Sequence, residues 1–358
     1  MNKLQFSNQA IFISIFIVIF AKALLFFLFN NDYLTLPVGG GSDADYYDAF
    51  AKGYEDYTTS LWPVFLKFIF DNGFYSRAFV SQIVFLIHLF LIPFCAIKIS
   101  NLEFRKNQKN YLYCIFLISI YPTLFFYSMD IYRDTVMLLI FFIGCFVVRK
   151  YINSNEILLK ILFLTFSLFF VYLLYGFRPY LGFGFLIALL CWKIKLNARK
   201  ALFLGFFYLM TLFFLNFYGY LDPLTKYREG FTDNADLSSG STLGIDFSDP
   251  IMFIPNFILS IFGQLFGMFF VNPLSILLWI VESLPFIFMF FYIIKNIKYA
   301  NAFIRFLLVF FVAYGSVWLI GNDNLGTAVR LRLFNYIVVY ICFFLLIGEK
   351  QKKLFSKN

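Results

Sequence analysis

The chain has 358 residues, of which 61% are hydrophobic and only 14% are charged, and its mean hydropathy is +0.80. Soluble globular domains carry about 25% charged residues, so the composition excludes a soluble protein and predicts an all-α, polytopic membrane protein. The formal net charge of +9 does not indicate nucleic acid as a partner, because lysines and arginines cluster where loops would face the cytoplasm.

Ten apolar segments in chain order are candidates for membrane-spanning helices, each of which needs about 20 apolar residues. They are residues 10–29, 78–98, 111–128, 135–148, 160–176, 181–192, 201–217, 274–294, 302–320 and 333–348. Two long polar segments, residues 30–76 and 218–250, are predicted to be periplasmic loops. We therefore predict that residues 1–358 form a single integral membrane domain with about ten transmembrane helices.

One further apolar segment, residues 251–271, is interrupted by helix-breaking and polar residues. These are Pro255, Gly263, Gln264 and Gly267. Non-helical backbone is tolerated at membrane depth only where it is buried in protein or lines a cavity. We predict that this segment re-enters the membrane or lies along its outer surface, and that it forms a wall of the functional site.

Basic residues set the orientation, because lysine and arginine are enriched in cytoplasmic loops. With both termini cytoplasmic, 19 of the 29 basic residues fall inside and 9 fall outside. Lys22 is unassigned, and we predict that its side chain reaches the membrane interface. Only 4 of the 19 inner residues are arginines, whereas 6 of the 9 outer residues are. The outer arginines are Arg77, Arg133, Arg178, Arg228, Arg330 and Arg332.

The outer arginines run against this charge rule and therefore need an explanation. Arginine binds phosphate through a planar fork of donors and keeps its charge when it is desolvated. Four of the six lie at predicted helix ends, at the depth of a lipid carrier's phosphates: Arg133, Arg178, Arg330 and Arg332. The alternative is that the outer arginines pair with carboxylates or lipid headgroups on the same side.

A polar segment from Tyr127 to Thr135 interrupts an otherwise apolar run and carries Asp130, Arg133 and Asp134. A charge at the centre of a membrane helix costs about 2.5–3.5 kcal/mol, and the run is too long for one crossing. We predict an outer hairpin here, in which Asp134 caps the following helix and Asp130 pairs with Arg133.

The remaining candidate groups are acidic residues and the single histidine. In the first outer loop, Asp43, Asp45 and Asp48 would bind a divalent metal through oxygen ligands or supply a general base toward a sugar hydroxyl. Their structural alternative is loop solvation and helix capping. Glu282 lies in a predicted span, where a carboxylate indicates either a functional site or a protonated packing residue. His88 lies among apolar residues and is predicted to be a buried, hydrogen-bonded core residue.

These features together resemble the Wzy-type polymerases of bacterial O-antigen and capsule repeat units. The resemblance covers most of the chain. It is carried by the Phe/Ile/Leu-rich spans, the two outer loops, the sequence from Tyr121 to Ser128 leading into Arg133-Asp134, and Arg178-Pro179-Tyr180.

The resemblance implies inverting, metal-independent glycosyl transfer at the periplasmic face of the bacterial inner membrane, with no cofactor. A growing glycan on undecaprenyl pyrophosphate would be moved onto a new lipid-linked repeat unit, with a flippase and a chain-length regulator as partners. Arg178 and Arg133 match best as catalytic residues. The residues expected to bind substrate are Arg77, Arg228, Arg330, Arg332, Tyr46, Asp130 and Tyr180.

The first outer loop also resembles a second family, the GT-C glycosyltransferases. The sequence from Ser42 to Ala51 is similar to their acidic-x-x-Tyr…Ala signature. That resemblance implies a polyprenyl-phosphate sugar donor, with Asp43 and Asp45 as a base or as ligands of a divalent metal. A third interpretation, a flippase of lipid-linked oligosaccharides, is less favoured because the chain has long one-sided loops and no internal repeat.

Overall fold

The computed structural model describes residues 3–31, 33–34, 41–195, 197–230 and 242–355. Within these ranges the chain is all-α, as predicted, and its one β-bridge, between Thr242 and Asn324, is isolated. The chain divides into two compact units, Met1–Gly182 and Phe183–Asn358. The single membrane domain expected from the sequence stays a prediction.

The first unit combines long apolar helices with several short ones. They are α1 Lys3–Asn30, α2 Gly41–Ala51, α3 Leu61–Asp71, α4 Arg77–Leu86, α5 Ile92–Ile99, α6 Gln108–Ile120, α7 Pro122–Phe126, α8 Arg133–Asn153 and α9 Ile157–Phe177. A π-helical turn, Ile87–Leu91, joins α4 to α5. Pro93 follows this turn and has no backbone N–H, so the regular helical hydrogen bond is absent there.

The chain turns where the polar hairpin is predicted, because α7 ends at Phe126 and α8 begins at Arg133. The predicted span 111–128, however, is not one helix. It divides at Tyr121, which is extended with a ψ of 106°. The residue before a proline is disfavoured from helical conformation, so Pro122 separates α6 from α7.

Lys22 does not reach the membrane interface, and that prediction is wrong. Its Nζ lies 3.0 Å from Nε2 of His88, and the two residues are only 6% and 1% exposed. The rings of Phe26 and Phe85 stack beside this pair with centroids 4.0 Å apart. His88 is the buried, hydrogen-bonded residue that the sequence predicts, and the pair joins α1 to the π-helical turn.

The second unit is built around two buried helices. Its helices are α10 Pro179–Cys191, which begins in the first unit, α11 Ala198–Phe217, α12 Asp222–Glu229, α13 Phe253–Ser260, α14 Pro273–Leu278, α15 Leu284–Asn296, α16 Ala302–Gly321 and α17 Leu325–Phe355. Of their apolar windows, 72% of α16 and 83% of α17 are buried, against 6% of α11. Helices that are apolar all round form a core, whereas an exposed apolar helix such as α11 is solvated by lipid.

Residues 251–271 are interrupted, as their composition predicts. The helix α13 continues into a second π-helical turn, Ile261–Leu265, and the chain is then non-helical until α14 begins at Pro273. A third π-helical turn, Trp279–Ser283, separates α14 from α15. Re-entry of this segment into the membrane remains a prediction.

Eight helical segments in the described part of the chain are long and apolar enough to cross a membrane. They are Asn8–Asn30, Arg77–Ile99, Arg133–Asn153, Ile157–Phe177, Arg199–Phe217, Pro273–Tyr299, Ala302–Gly321 and Leu325–Lys353. Of the ten predicted spans, 111–128 is the one that Pro122 divides, and 181–192 is the shorter helix α10. Ten crossings and cytoplasmic termini stay predictions. The predicted outer loops contain helices of their own, which are α2, α3 and α12.

Close packing of α10 against α16 depends on Gly184. A Cβ at this position would lie 2.8 Å from Cβ and 3.0 Å from Cα of Tyr314. We expect Gly184→Ala to destabilise the protein by about 1–3 kcal/mol through overpacking, measured as a lower melting temperature in detergent. Gly205→Ala in α11 is the matched control, because no atom lies within 4 Å of the added Cβ. Equal melting temperatures for the two variants would contradict this close approach.

Candidate functional site

The first unit gathers charged residues where α8 begins and α9 ends. Arg178 follows the last residue of α9, and Asp134 is the second residue of α8. Arg178 Nη2 lies 3.5 Å from Asp134 Oδ1, and the two side chains are only 4% and 0% exposed. The guanidinium carbon of Arg178 also lies 5.7 Å from the ring centroid of Tyr180. A buried ion pair therefore connects two apolar helices at their ends.

Arg133 reaches the same place from the first turn of α8. Its Nη1 donates a hydrogen bond of 3.0 Å to the backbone oxygen of Phe177, the residue immediately before Arg178. Arg133 is half-buried, its Nε has no hydrogen-bond partner, and it forms no ion pair with any residue that the structure describes. Arg133 thus contacts Phe177, the chain neighbour of Arg178, and Arg178 contacts Asp134, the chain neighbour of Arg133.

Arg77 binds two further carboxylates of this unit, those of Asp130 and Asp45. Its Nε and Nη2 lie 3.0 and 2.6 Å from the two oxygens of Asp130, and its Nη1 lies 2.8 Å from Oδ1 of Asp45. This corrects two predictions made from the hairpin sequence. Asp130 pairs with Arg77 and not with Arg133, and Asp134 pairs with Arg178 and does not cap α8. Neither contact could be read from spacing, because each partner comes from a distant segment.

The acidic segment of the first loop forms α2, and its side chains contact other parts of the same unit. Asp45 accepts a hydrogen bond from Arg77, and Tyr46 Oη donates a 2.6 Å hydrogen bond to the backbone oxygen of Tyr57. Asp43 lies half-buried in the first turn of α2. Among the described residues, no group of three or more His, Cys, Asp or Glu is placed to hold a metal ion.

Asp48 is the most firmly held carboxylate of α2. It accepts hydrogen bonds from Lys52 Nζ at 2.6 Å and from Tyr75 Oη at 2.7 Å. Burial alone raises the pKa of Asp48, but these bonds and the charges of Lys52 and Arg77 outweigh burial and lower that pKa below its usual 3.8. Burial, followed by the bond to Asp48, raises the pKa of Tyr75.

The lowered pKa of Asp48 predicts that this carboxylate stabilises the folded protein in a pH-dependent way. A carboxylate whose pKa is lowered by folding stabilises the protein at pH values above its usual pKa. This contribution is lost as the pH falls through the pKa of the folded state. We expect Asp48→Asn to lower the melting temperature at neutral pH and to flatten its decline below about pH 4. Asp71→Asn is the control, because Asp71 is 55% exposed and lies 3.6 Å from Lys67. A melting curve for the Asp48 variant that parallels wild type at every pH would contradict the assignment.

In the second unit, Arg228 of α12 is buried and directed at the turn between α16 and α17. Its Nε donates to the backbone oxygen of Ile245 at 2.8 Å, and its Nη2 is paired with Asp323. Its Nη1 donates to three backbone oxygens, of Leu319, Ile320 and Asn322, at 3.1, 3.2 and 2.6 Å. Burial lowers the pKa of Arg228, and the charge of Asp323 opposes this. The guanidinium therefore fixes α12 to the turn between α16 and α17.

A cavity of about 350 Å³ adjoins Arg228. Its lining is mainly polar and comes from α12 and from the chain that follows the undescribed residues 231–241: Thr225, Arg228, Glu229, Gly244, Ile245, Asp246, Phe247 and Ser248. Hydrogen bonds from the Ser248 side chain and backbone lower the pKa of Asp246. The cavity thus presents hydroxyl and carboxylate groups beside a structural arginine.

Arg332 forms a second buried pair in this unit, with Glu282. Arg332 Nη2 lies 3.4 Å from Glu282 Oε2, and the side chains are 6% and 0% exposed. The guanidinium carbon lies 5.3 Å from the ring centroid of Tyr336. Arg330 lies two residues earlier on α17 and is half-buried. Glu282 is thereby explained as the partner of an outer arginine, which the sequence did not indicate.

The arginines that pair with carboxylates fall into two geometric groups. Arg77 and Arg228 approach carboxylates closely through several donors, as structural arginines do. Arg178 and Arg332 lie 3.5 and 3.4 Å from their carboxylates, beyond the 2.7–2.9 Å of a charge-assisted hydrogen bond. Arg178 and Arg332 are both buried and both lie beside an aromatic ring, and they are candidates for binding an added anion.

The sequence did not indicate the role of Trp62, a residue of α3 that contacts the hairpin before α8. Its Nε1 donates a 2.7 Å hydrogen bond to the backbone oxygen of Ile131 in the hairpin, and the residue is 2% exposed. Only its position in an amphipathic segment, with Pro63 and Leu66 buried on the same helix, could have indicated that role.

No family model, no curated protein and no solved structure matches this chain. Its class is therefore defined by its own architecture: an all-α chain with eight helices in its described part that are able to cross a membrane, and with buried arginine–carboxylate pairs.

Proposed function

We propose that this protein polymerises lipid-linked oligosaccharide repeat units by glycosyl transfer at the periplasmic face of the bacterial inner membrane. The observation that supports this best is that Arg133 and Arg178 each contact the chain neighbour of the other, Phe177 and Asp134 respectively. Two guanidinium groups at the ends of apolar helices suit a pyrophosphate anchored in a bilayer, because arginine binds phosphate oxygens bidentately and is always charged.

The reaction follows from the proposed substrates. An acceptor sugar hydroxyl attacks the anomeric carbon of the donor glycan from the face opposite the pyrophosphate. The new carbon–oxygen bond forms, the bond between that carbon and the pyrophosphate oxygen breaks, and the pyrophosphate leaves on its lipid carrier. Arg133 and Arg178 would stabilise the charge that develops on this leaving group, as fixed cations do in phosphoryl chemistry.

The hydroxyl proton must pass to a base, and Asp45 is our candidate. Its side chain is 64% exposed and is held by Arg77 at 2.8 Å, so it is both oriented and accessible to a substrate. Asp43 lies two residues earlier on α2 and is the alternative base. Substrate binding by Arg330, Tyr46, Asp130 and Tyr180 stays a prediction, as does association with a flippase and a chain-length regulator.

Deletion of the gene in its own host, with complementation, separates the three interpretations. Loss of a polymerase leaves single repeat units at the cell surface and no long chains. Loss of a flippase removes the repeat units as well. Loss of a GT-C transferase that uses a polyprenyl-phosphate donor changes one sugar within chains that remain polymeric. Only the first outcome, read from gel ladders and sugar analysis, agrees with the proposal.

A further inference from the structure

The second unit contains a break in its helices that the proposed function does not yet use. Residues 266–272 are non-helical, and they are flanked by the π-helical turns Ile261–Leu265 and Trp279–Ser283. Such turns occur frequently at functional sites. Tyr336 Oη donates a 2.6 Å hydrogen bond to the backbone oxygen of Leu265, where the first turn ends. The break is thus supported by a buried side chain of α17.

The broken segment approaches the Arg332 guanidinium closely. Gly267 has a φ of +66°, in the region that favours glycine, and a Cβ there would collide with Arg332 Nη1 and Ser283 Oγ. Gln264 fixes the preceding turn by donating to the backbone oxygen of Asn322 at 2.8 Å. The backbone is therefore held against Arg332, and only a residue without a side chain fits between them.

A small cavity lies between this segment and α17. Its volume is about 50 Å³, enough for a few water molecules, each of which needs about 10–15 Å³. Among the described residues, Arg332 is the one ionisable residue in the lining, which is otherwise mainly apolar: Gly263, Gln264, Gly267, Phe269, Val271, Ser275, Leu278, Leu325, Ala328 and Val329. A single phosphate group is of this size, and the apolar side chains of the lining suit the first carbons of an alkyl or prenyl chain attached to it.

We propose that Arg332 and the broken segment form a second binding site, in the unit Phe183–Asn358, for the phosphate end of a lipid. A buried cation facing a mainly apolar cavity recognises a charged head attached to an apolar chain, and neither sugars nor free nucleotides combine these properties. The site deepens the proposed function. That a second lipid-linked substrate uses it rests on the proposed function. Lipid binding itself does not require turnover.

The test measures lipid binding by native mass spectrometry of the purified full chain, using polyprenyl phosphate, phosphatidylglycerol and inorganic phosphate as separate probes. Arg332→Gln combined with Glu282→Gln removes both charges together and avoids leaving a lone buried carboxylate. We expect it to weaken binding of the lipid phosphate at least about tenfold. Preference for polyprenyl phosphate identifies the carrier as the ligand, and preference for phosphatidylglycerol identifies a bilayer lipid at the same site.

Two further variants keep the proposal falsifiable. Val329→Trp fills the cavity without changing its charge and should weaken binding to a similar extent, whereas Val312→Trp, at an exposed position of α16 that is 47% accessible, should not. Unchanged lipid binding in both the double variant and Val329→Trp would overturn the site, as would equal affinity for inorganic phosphate alone. A protein that binds lipid through Arg332 but makes no polymer would retain this site while losing the proposed function.

Discussion

Replacing Arg133 with glutamine is expected to abolish the polymeric product while leaving the melting temperature of the protein nearly unchanged. Arg133 is half-buried, is held by one backbone oxygen and forms no ion pair with a described residue. Its removal therefore leaves no carboxylate stranded in the protein, although it removes one of the two charges that would bind the pyrophosphate. The measurement is the ladder of chain lengths in complemented cells, paired with thermal unfolding of the purified variant.

Arg178 cannot provide an equally clean test. Asp134 is fully buried beside it, and breaking a buried ion pair by removing one partner costs about 3–5 kcal/mol. Arg178→Ala is therefore expected to lose polymer and protein together. Lys67→Ala is the control for Arg133, because Lys67 is another basic residue predicted to lie outside, in the loop 30–76, and is 42% exposed. Normal chain lengths in the Arg133 variant would remove the residue from the proposed mechanism.

Replacing Arg228 with alanine is expected to cause the largest loss of stability in the second unit. The change leaves Asp323 fully buried without its cation and removes the hydrogen bonds that Arg228 donates to the backbone oxygens of Ile245, Leu319 and Asn322. We expect a loss of about 3–5 kcal/mol, seen as a lower melting temperature in detergent. Arg228→Lys should restore little of the lost stability, because a lysine ammonium lacks the planar fork that reaches these acceptors.

Lys226 provides the control for Arg228 on the same helix. Its side chain is 73% exposed and lies 3.9 Å from Asp222, and such surface pairs contribute about 0–1 kcal/mol. Lys226→Ala should therefore melt close to wild type. If Arg228→Ala also melted close to wild type, α12 would not be fixed to the second unit through this guanidinium.

The sequence predicted most of the helices, since long apolar runs bounded by charges are a strong local signal. It could not predict the division of residues 111–128, because the extended conformation of Tyr121 depends on one proline within an apolar run. It also left α3 within a polar loop. The helical form of α3 depends on packing of buried residues such as Trp62 and Leu66, and this packing has no signature in hydropathy.

The site was predictable in its residue types and not in its pairings. The unusual outer arginines pointed to buried cations near helix ends. Arg178 is such a cation, whereas Arg332 is buried but lies inside α17, which begins at Leu325. Their partners Asp134 and Glu282 lie 44 and 50 residues away in the chain, so no spacing rule connects them. Arg228 was expected to bind substrate, but it donates to backbone oxygens, which are acceptors that every residue carries and that no sequence can single out.

The most direct test of the central claim is the identity of the lipid released when the purified protein acts on a lipid-linked repeat unit. Transfer of a growing glycan from its carrier predicts release of polyprenyl pyrophosphate, detected by mass spectrometry, and products that grow by whole repeat units. Arg133→Gln should release none. Products that grow by single sugars with release of polyprenyl monophosphate, or no release from an otherwise folded protein, would contradict the account.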